Sequence, residues 1–213
     1  MKTDDLVAML SANVEPVKGR PVGRAIFIAV AAGVIIALGV VLVALGARAD
    51  LTTTRTVLFL SLKLAFAIAV VGIAVRYLTQ LARPGAERGI SPFTIVVPFA
   101  AIALLGAISL GAAPNSHWNR MILGDEWLEC LLSIPIIVIV PFAATIFAVR
   151  RAAPTNLVRA GAIAGLIAGG VSAIAYALHC TDDSLPFVAA WYGGTIVLCT
   201  LAGAALGPRL LRW

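Results

Sequence analysis

Six apolar stretches, each about 19 to 22 residues long and each bounded by charged or turn-forming residues, leave this chain little choice of fold. They cover residues 25–46, 57–75, 92–112, 131–149, 157–178 and 187–207. A helix rises about 1.5 Å per residue, so roughly 20 residues cross a hydrocarbon core of roughly 30 Å. Backbone groups in lipid must satisfy one another, and the alternating pattern of a barrel strand is missing, which leaves helices. Composition agrees: 61% of residues are hydrophobic and 12% charged, against roughly 45–50% and about 25% in soluble domains. The sequence predicts an all-α protein, a six-helix transmembrane bundle over residues 25–213. A tail, residues 1–24, precedes it. Ala47-Arg48-Ala49 resembles a signal-peptidase site, but the preceding apolar run exceeds the usual 7–15 residues, so no cleavage is expected.

The basic residues set the expected orientation. Lys2, Lys18, Arg20, Arg24, Arg76, Arg83, Arg88, Arg150, Arg151, Arg159, Arg209 and Arg212 fall on the side of the termini, against Arg48, Arg55 and Arg120 on the other. By the positive-inside rule both termini are cytoplasmic. The acidic residues Asp50, Asp125, Glu126, Glu129, Asp182 and Asp183 gather on the outer side. The net charge of +6 is thus an orientation signal. Its residues flank spans instead of forming a stripe, which gives no case for nucleic-acid binding.

The outer face holds the chemistry. Residues 178–187 read LHCTDDSLPF and join the fifth and sixth spans. Cys180 stands there with His179, Asp182 and Asp183. Cys130, at the start of the fourth span, follows a loop carrying His117, Asp125, Glu126 and Glu129. Thiolates with imidazole and carboxylate neighbours suit zinc and softer ions. There is no C-x-x-C or H-x-x-x-H spacing, and the ligands come from two loops that only the fold can join. Three readings stay open. One is a metal or thiol-reactive sensor, and another is a disulfide in an oxidising compartment. The third is a solvated turn in which Asp182 or Ser184 caps the sixth helix before Pro186.

Within the spans, Lys63 is the one obvious charge. It sits about six residues, on the order of 9 Å, from the outer start of its helix, so its stem is expected to snorkel outward. The other reading gives it a buried partner or a transport role. Gly161, Gly165 and Gly169, with Gly203 and Gly207, read as close helix packing. Pro98, Pro135 and Pro141 predict kinks in the third and fourth spans, and Cys199 reads as a small buried apolar residue.

The tail opens MKTDDLVAMLSANVEPV. Thr3 can cap a helix with Asp4 and Asp5 in its first turn, and Pro16 should stop it. Leu6, Met9 and Leu10 then share one face, with Val14 close by. So short an amphipathic helix needs a surface to fold against. With no Lys or Arg on its polar face, a protein groove suits it better than anionic lipid, though a frayed leader remains the alternative.

The start KTDDLVAMLSANVEPV, the six spans and the outer HCTDDSLPF followed by Trp191-Tyr192-Gly193 together resemble the NrsF-type membrane anti-sigma factors of proteobacteria. The resemblance covers the whole chain. It implies a protein that holds an extracytoplasmic-function sigma factor at the bacterial inner membrane and releases it under heavy-metal or oxidative stress. Asp4, Asp5 and Leu6 would then lie in the sigma-binding segment, and Cys130 and Cys180 would match the family's pair of outer cysteines. No resident cofactor and no organic substrate are implied. The chain lacks a nucleophile elbow, a P-loop and H-E-x-x-H, so no enzyme is expected. Two other classes are open: a thiol-redox protein linked to a quinone, which lacks the usual C-x-x-C, and a small transporter built around Lys63 and the broken spans.

Overall fold

The computed structural model describes residues 3–12, 21–81, 91–151 and 154–212. Among these residues the protein is helical throughout, without a strand. Helix α1 covers Thr3–Ala12, α2 Pro21–Ala44 and α3 Thr54–Leu81. A 3-10 turn, Pro92–Ile95, leads into α4, Val96–Gly111. A second such turn, Asn115–His117, precedes α5, Trp118–Leu123, and α6, Trp127–Arg150. Helix α7 covers Leu157–Tyr176. The last span is α8, Leu185–Phe187, a π-helical turn, Val188–Tyr192, and α9, Gly193–Leu210. Six helical stretches of the described residues are long and apolar enough to cross a membrane, from Val22–Ala44 to Leu185–Leu210.

Helix α6 starts four residues before the expected 131–149 span and holds Cys130 in its first turn. Helix α1 forms, but Leu6, Val7 and Met9 are all exposed, and no buried apolar face is defined for it. Val14 and Pro16 lie outside the described residues, as does the side chain of Leu10.

Helix α7 is the centre of the bundle. Every residue from Ile163 to Ala173 is buried, and α2, α3, α6 and α9 all pack on it. Its run of glycine and alanine makes it thin enough for that. The closest approach is to α9, which runs antiparallel to it. A Cβ on Gly161 would stand 2.3 Å from the Gly203 carbonyl oxygen, and one on Gly165 2.3 Å from that of Cys199. From the other side, a Cβ on Gly207 would stand 2.4 Å from the Leu157 carbonyl oxygen. Without a hydrophobic force between helices in lipid, such backbone proximity supplies the dispersion contact that holds them together. Gly170 admits Val71 of α3 in the same way, and Gly33 of α2 receives the ring of Pro141 from α6.

Gly165→Val places a branched side chain against the α9 backbone. It should cost about 3 kcal/mol or more and lower the thermal unfolding midpoint of the detergent-solubilised protein. Gly72→Ala, at a helix position with open space, should leave stability unchanged or raise it by up to about 1 kcal/mol. Equal effects from the two would show that the α7–α9 contact is not this tight.

Candidate functional site

At the end of the bundle away from the termini, the loops after α2, α5 and α7 converge. The residues of HCTDDS divide among four neighbours. The His179 ring donates through Nδ1 to the Gly46 carbonyl at 3.0 Å, and its Nε2 stands 4.0 Å from Glu129. Thr181 donates to the Glu126 carboxylate through its backbone N–H at 3.0 Å and its hydroxyl at 2.6 Å. Asp182 accepts from the backbone N–H of Asp125 and, at 2.8 Å, of Glu126. Ser184 caps α8 by accepting from the Phe187 N–H, and its hydroxyl donates to the Met121 carbonyl.

The expected solvated turn is therefore a clasp, and the capping roles divide. Ser184 caps the last span as expected, whereas Asp182 serves α6, whose N-cap residue Glu126 makes no side-chain cap of its own. A carboxylate at a helix start pairs with unsatisfied N–H groups and the positive dipole end. Gly124 makes this approach possible. Its φ of 63° is left-handed, and a Cβ there would meet an Asp182 carboxylate oxygen at 2.5 Å.

Asp183 faces inward, to cations. Its carboxylate accepts from Arg48 Nη1 at 3.0 Å and Nη2 at 2.8 Å, and from Lys63 Nζ at 3.3 Å. Arg48 also reaches Asp50 through Nε at 2.6 Å and Nη2 at 2.8 Å, and Thr56 donates to the same carboxylate. Both cationic side chains are fully buried. Two cations and two carboxylates balance, which permits burial that either cation alone would resist. Lys63 does not snorkel. It finds the Cys180 carbonyl at 3.1 Å, the Cys180 sulfur at 3.7 Å and Asp183 within its own reach, and its ammonium lies 5.9 Å from the Tyr192 ring centre. Hydrogen bonds to Asp50 and Asp183 raise the Arg48 pKa. The Arg48 bond likewise holds Asp50 well below the usual carboxylate range. With its folded pKa depressed, Asp50 contributes stability above the ordinary carboxylate pKa of about 4 and loses it only as pH falls through the lower folded value.

Beneath the clasp lie the thiols. Cys130 and Cys180 are fully buried in one apolar cluster, and all three cysteines are free. Cys130 stands within electrostatic reach of Cys180, Lys63 and Asp182. Burial pushes the Cys180 thiol up to about 11, against the opposing pull of Lys63. Tyr176 and Tyr192 enclose the site, their ring centres 6.1 Å apart. The Tyr192 hydroxyl lies beside Cys180. Neither tyrosine hydroxyl has a hydrogen-bond partner among the described residues, although both are buried. The π-helical turn places Tyr192 here and sends the Trp191 indole N–H to the Ile122 carbonyl at 2.8 Å.

No group of three His, Cys, Asp or Glu side chains among the described residues is placed to hold a metal ion. A four-ligand zinc site therefore does not fit. The donors present are two thiols, a set suited to soft ions or to thiol chemistry. Glu129 is mostly exposed. His117 is exposed too, and lines an open cavity of about 760 Å³ with Arg55, Arg120, Asp182 and Asp183.

The profile of the NrsF family, described as negative regulator of sigma F, matches residues 10–213. The chain belongs to the NrsF family. It is 30% identical over 213 residues to the probable anti-sigma-F factor NrsF of Azospira oryzae, and 32% identical over 216 residues to the anti-sigma-F factor NrsF of Caulobacter vibrioides. Each alignment covers all of both chains. No solved structure matches. Membership makes this a regulatory protein and not an enzyme, a negative regulator of a sigma factor.

Reading the residues alone passed over Arg48, seen only as an orientation signal, and gave Asp182 a capping role at the sixth span and not at α6. A signal was there: Arg48 ends a span on the side where basic residues are scarce, two residues from Asp50. In this NrsF-family chain Asp183→Asn leaves Arg48 and Lys63 with one carboxylate between them, and should cost on the order of 3 kcal/mol. Adding Lys63→Met should restore part of that loss, because the unpaired cation goes with it. Thermal unfolding of the four proteins of this double-mutant cycle checks both statements, and strictly additive losses would refute the coupling.

Proposed function

We propose that this protein is an inner-membrane anti-sigma factor. It sequesters an extracytoplasmic-function sigma factor at the cytoplasmic face and releases it when the outer thiols Cys130 and Cys180 are altered by soft heavy-metal ions or oxidants. The observation that carries the sensing part is the position of the two free thiols beneath the clasp. Cys180 lies in the loop that Arg48 and Lys63 tie to α2 and α3, and that Glu126 ties to α6. A change in volume or charge at either thiol therefore presses on several helix ends at once. The full-length likeness to relatives named as anti-sigma-F factors supports the regulatory part.

In the bound state the tail, with Asp4, Asp5, Leu6, Met9, Leu10 and Val14, holds the sigma factor by a helix-in-groove contact. Leu6 and Met9 are exposed and available for it. On the thiol side, two chemistries fit two buried thiols. Capture of a soft ion releases their protons. Disulfide formation releases two protons and passes two electrons to the oxidant. Either disturbs the packing of Tyr176, Tyr192 and Lys63 around Cys180. Because the two ends of the bundle are coupled, about 1.4 kcal/mol of differential stability suffices to weaken sigma binding tenfold.

Replacing both Cys130 and Cys180 by serine should abolish induction of the sigma-dependent genes by cadmium or peroxide while leaving basal repression in place. An undiminished response in the double variant would rule out the thiol sensor. Removing residues 1–17 should reduce capture of the sigma factor by the membrane-inserted protein at least about tenfold. Capture at full strength would move the binding surface to the loops between spans.

A further inference from the structure

The glycine contact that draws α9 onto α7 leaves its other side short of partners. Between α6 and α9 runs an open groove of about 590 Å³ that is apolar almost throughout. Ala143 on α6 and Ala202 on α9, both small, are among its lining residues. Phe142, Phe147 and Leu206 form its walls. From Pro135 to Arg150 it follows roughly 22 Å of helix, more than the roughly 15 Å of one leaflet's hydrocarbon.

One end of the groove is charged. Arg150, in the last turn of α6, is the sole charged residue of its lining among the described residues. Arg151 stacks its guanidinium over Phe147 at 4.9 Å, which fixes a second positive group at the same mouth. Arg209 stands in the last turn of α9 beside Leu210, another lining residue. The carboxylates Asp50, Asp125, Glu126, Glu129, Asp182 and Asp183 all lie toward the opposite end of the bundle.

We propose that this groove is a binding site for an anionic phospholipid of the leaflet on the side of the termini. One acyl chain lies between α6 and α9, and the phosphate sits on Arg150 and Arg151. Guanidinium groups suit a phosphate geometrically, since their N–H groups form a planar fork. The depth of the groove matches a chain that enters at the interface and runs past the midplane. Neither the sensing loop nor the tail takes part, so the site stands or falls apart from the sigma-factor reading.

The test is native mass spectrometry of the full-length protein released from nanodiscs of equimolar phosphatidylglycerol and phosphatidylcholine. The wild type should retain phosphatidylglycerol about tenfold over phosphatidylcholine. Arg150→Gln with Arg151→Gln should bring that ratio near one, while Arg24→Gln with Arg76→Gln, at the same end of the bundle, should leave it unchanged. Ala202→Phe, which fills the groove, should lose both lipids. The arginine variants leave the core untouched, so they decide the matter even if Ala202→Phe does not fold. No preference in the wild type, an equal drop in the Arg24 and Arg76 control, or retention of a second copy of the chain or an isoprenoid in place of phospholipid would each overturn the proposal.

Discussion

Asp183 is the anion on which the outer end of this bundle is built. Arg48 and Lys63 both donate to it and both are buried, and among the described residues the one further carboxylate paired with either is Asp50, on Arg48. An ammonium placed inside a membrane helix must reach water or a counter-charge. Here the counter-charge comes from a loop more than a hundred residues further along the chain. The backbone follows: the Arg48 N–H donates to the Leu178 carbonyl, and the Cys180 carbonyl accepts from both cations. Electrostatics within the low-dielectric interior thus decide where the loop between α7 and α8 sits, and with it where Cys180 sits.

The second half of the clasp is neutral hydrogen bonding at helix ends, and it brings in α6. Asp182 supplies the acceptors that the first N–H groups of α6 require, and Glu126 returns the exchange through Thr181. Cys130 is one helical turn beyond that junction. Helices α6 and α7 are therefore joined at their outer ends by directional bonds, whereas α7 and α9 are joined along their length by glycine contacts that admit no side chain. Packed interfaces of this kind have discrete arrangements and do not deform continuously. Under the proposed function, a disturbance beneath the clasp is carried along α7 and α9 as a unit.

The six spans were legible in the sequence because length and apolar content alone define them. The glycine contact was legible for a related reason, since small residues at four-residue spacing have few other uses in lipid. The clasp was not. Whether Lys63 snorkels depends on what lies above it, and its distance from the helix start says nothing of Asp183. Asp182 sits three residues before α8 and reads, with Ser184, as a candidate for its cap. It serves α6 instead because Gly124, at a positive φ, lets another loop come within bonding distance. Long-range pairs leave no local pattern, so beforehand the pairing of Cys130 with Cys180 was one open reading among three, which the likeness to NrsF-type proteins favoured.

The burial of the thiols bears on how a sensor of this design behaves at rest. With its pKa near 11, Cys180 is protonated at neutral pH, and a protonated, shielded thiol reacts slowly with adventitious oxidants. Reaction then requires either a soft ion able to displace the proton or an opening of the clasp. Opening breaks the charge cluster and the α6 junction together, because Thr181, Asp182 and Asp183 are consecutive. Under the proposed function this makes the two ends thermodynamically reciprocal. If altering the thiols weakens sigma binding, then sigma binding must stabilise the closed clasp by the same free energy. A bound sigma factor thereby protects the thiols, and the protein becomes most responsive once some of its partner has already left.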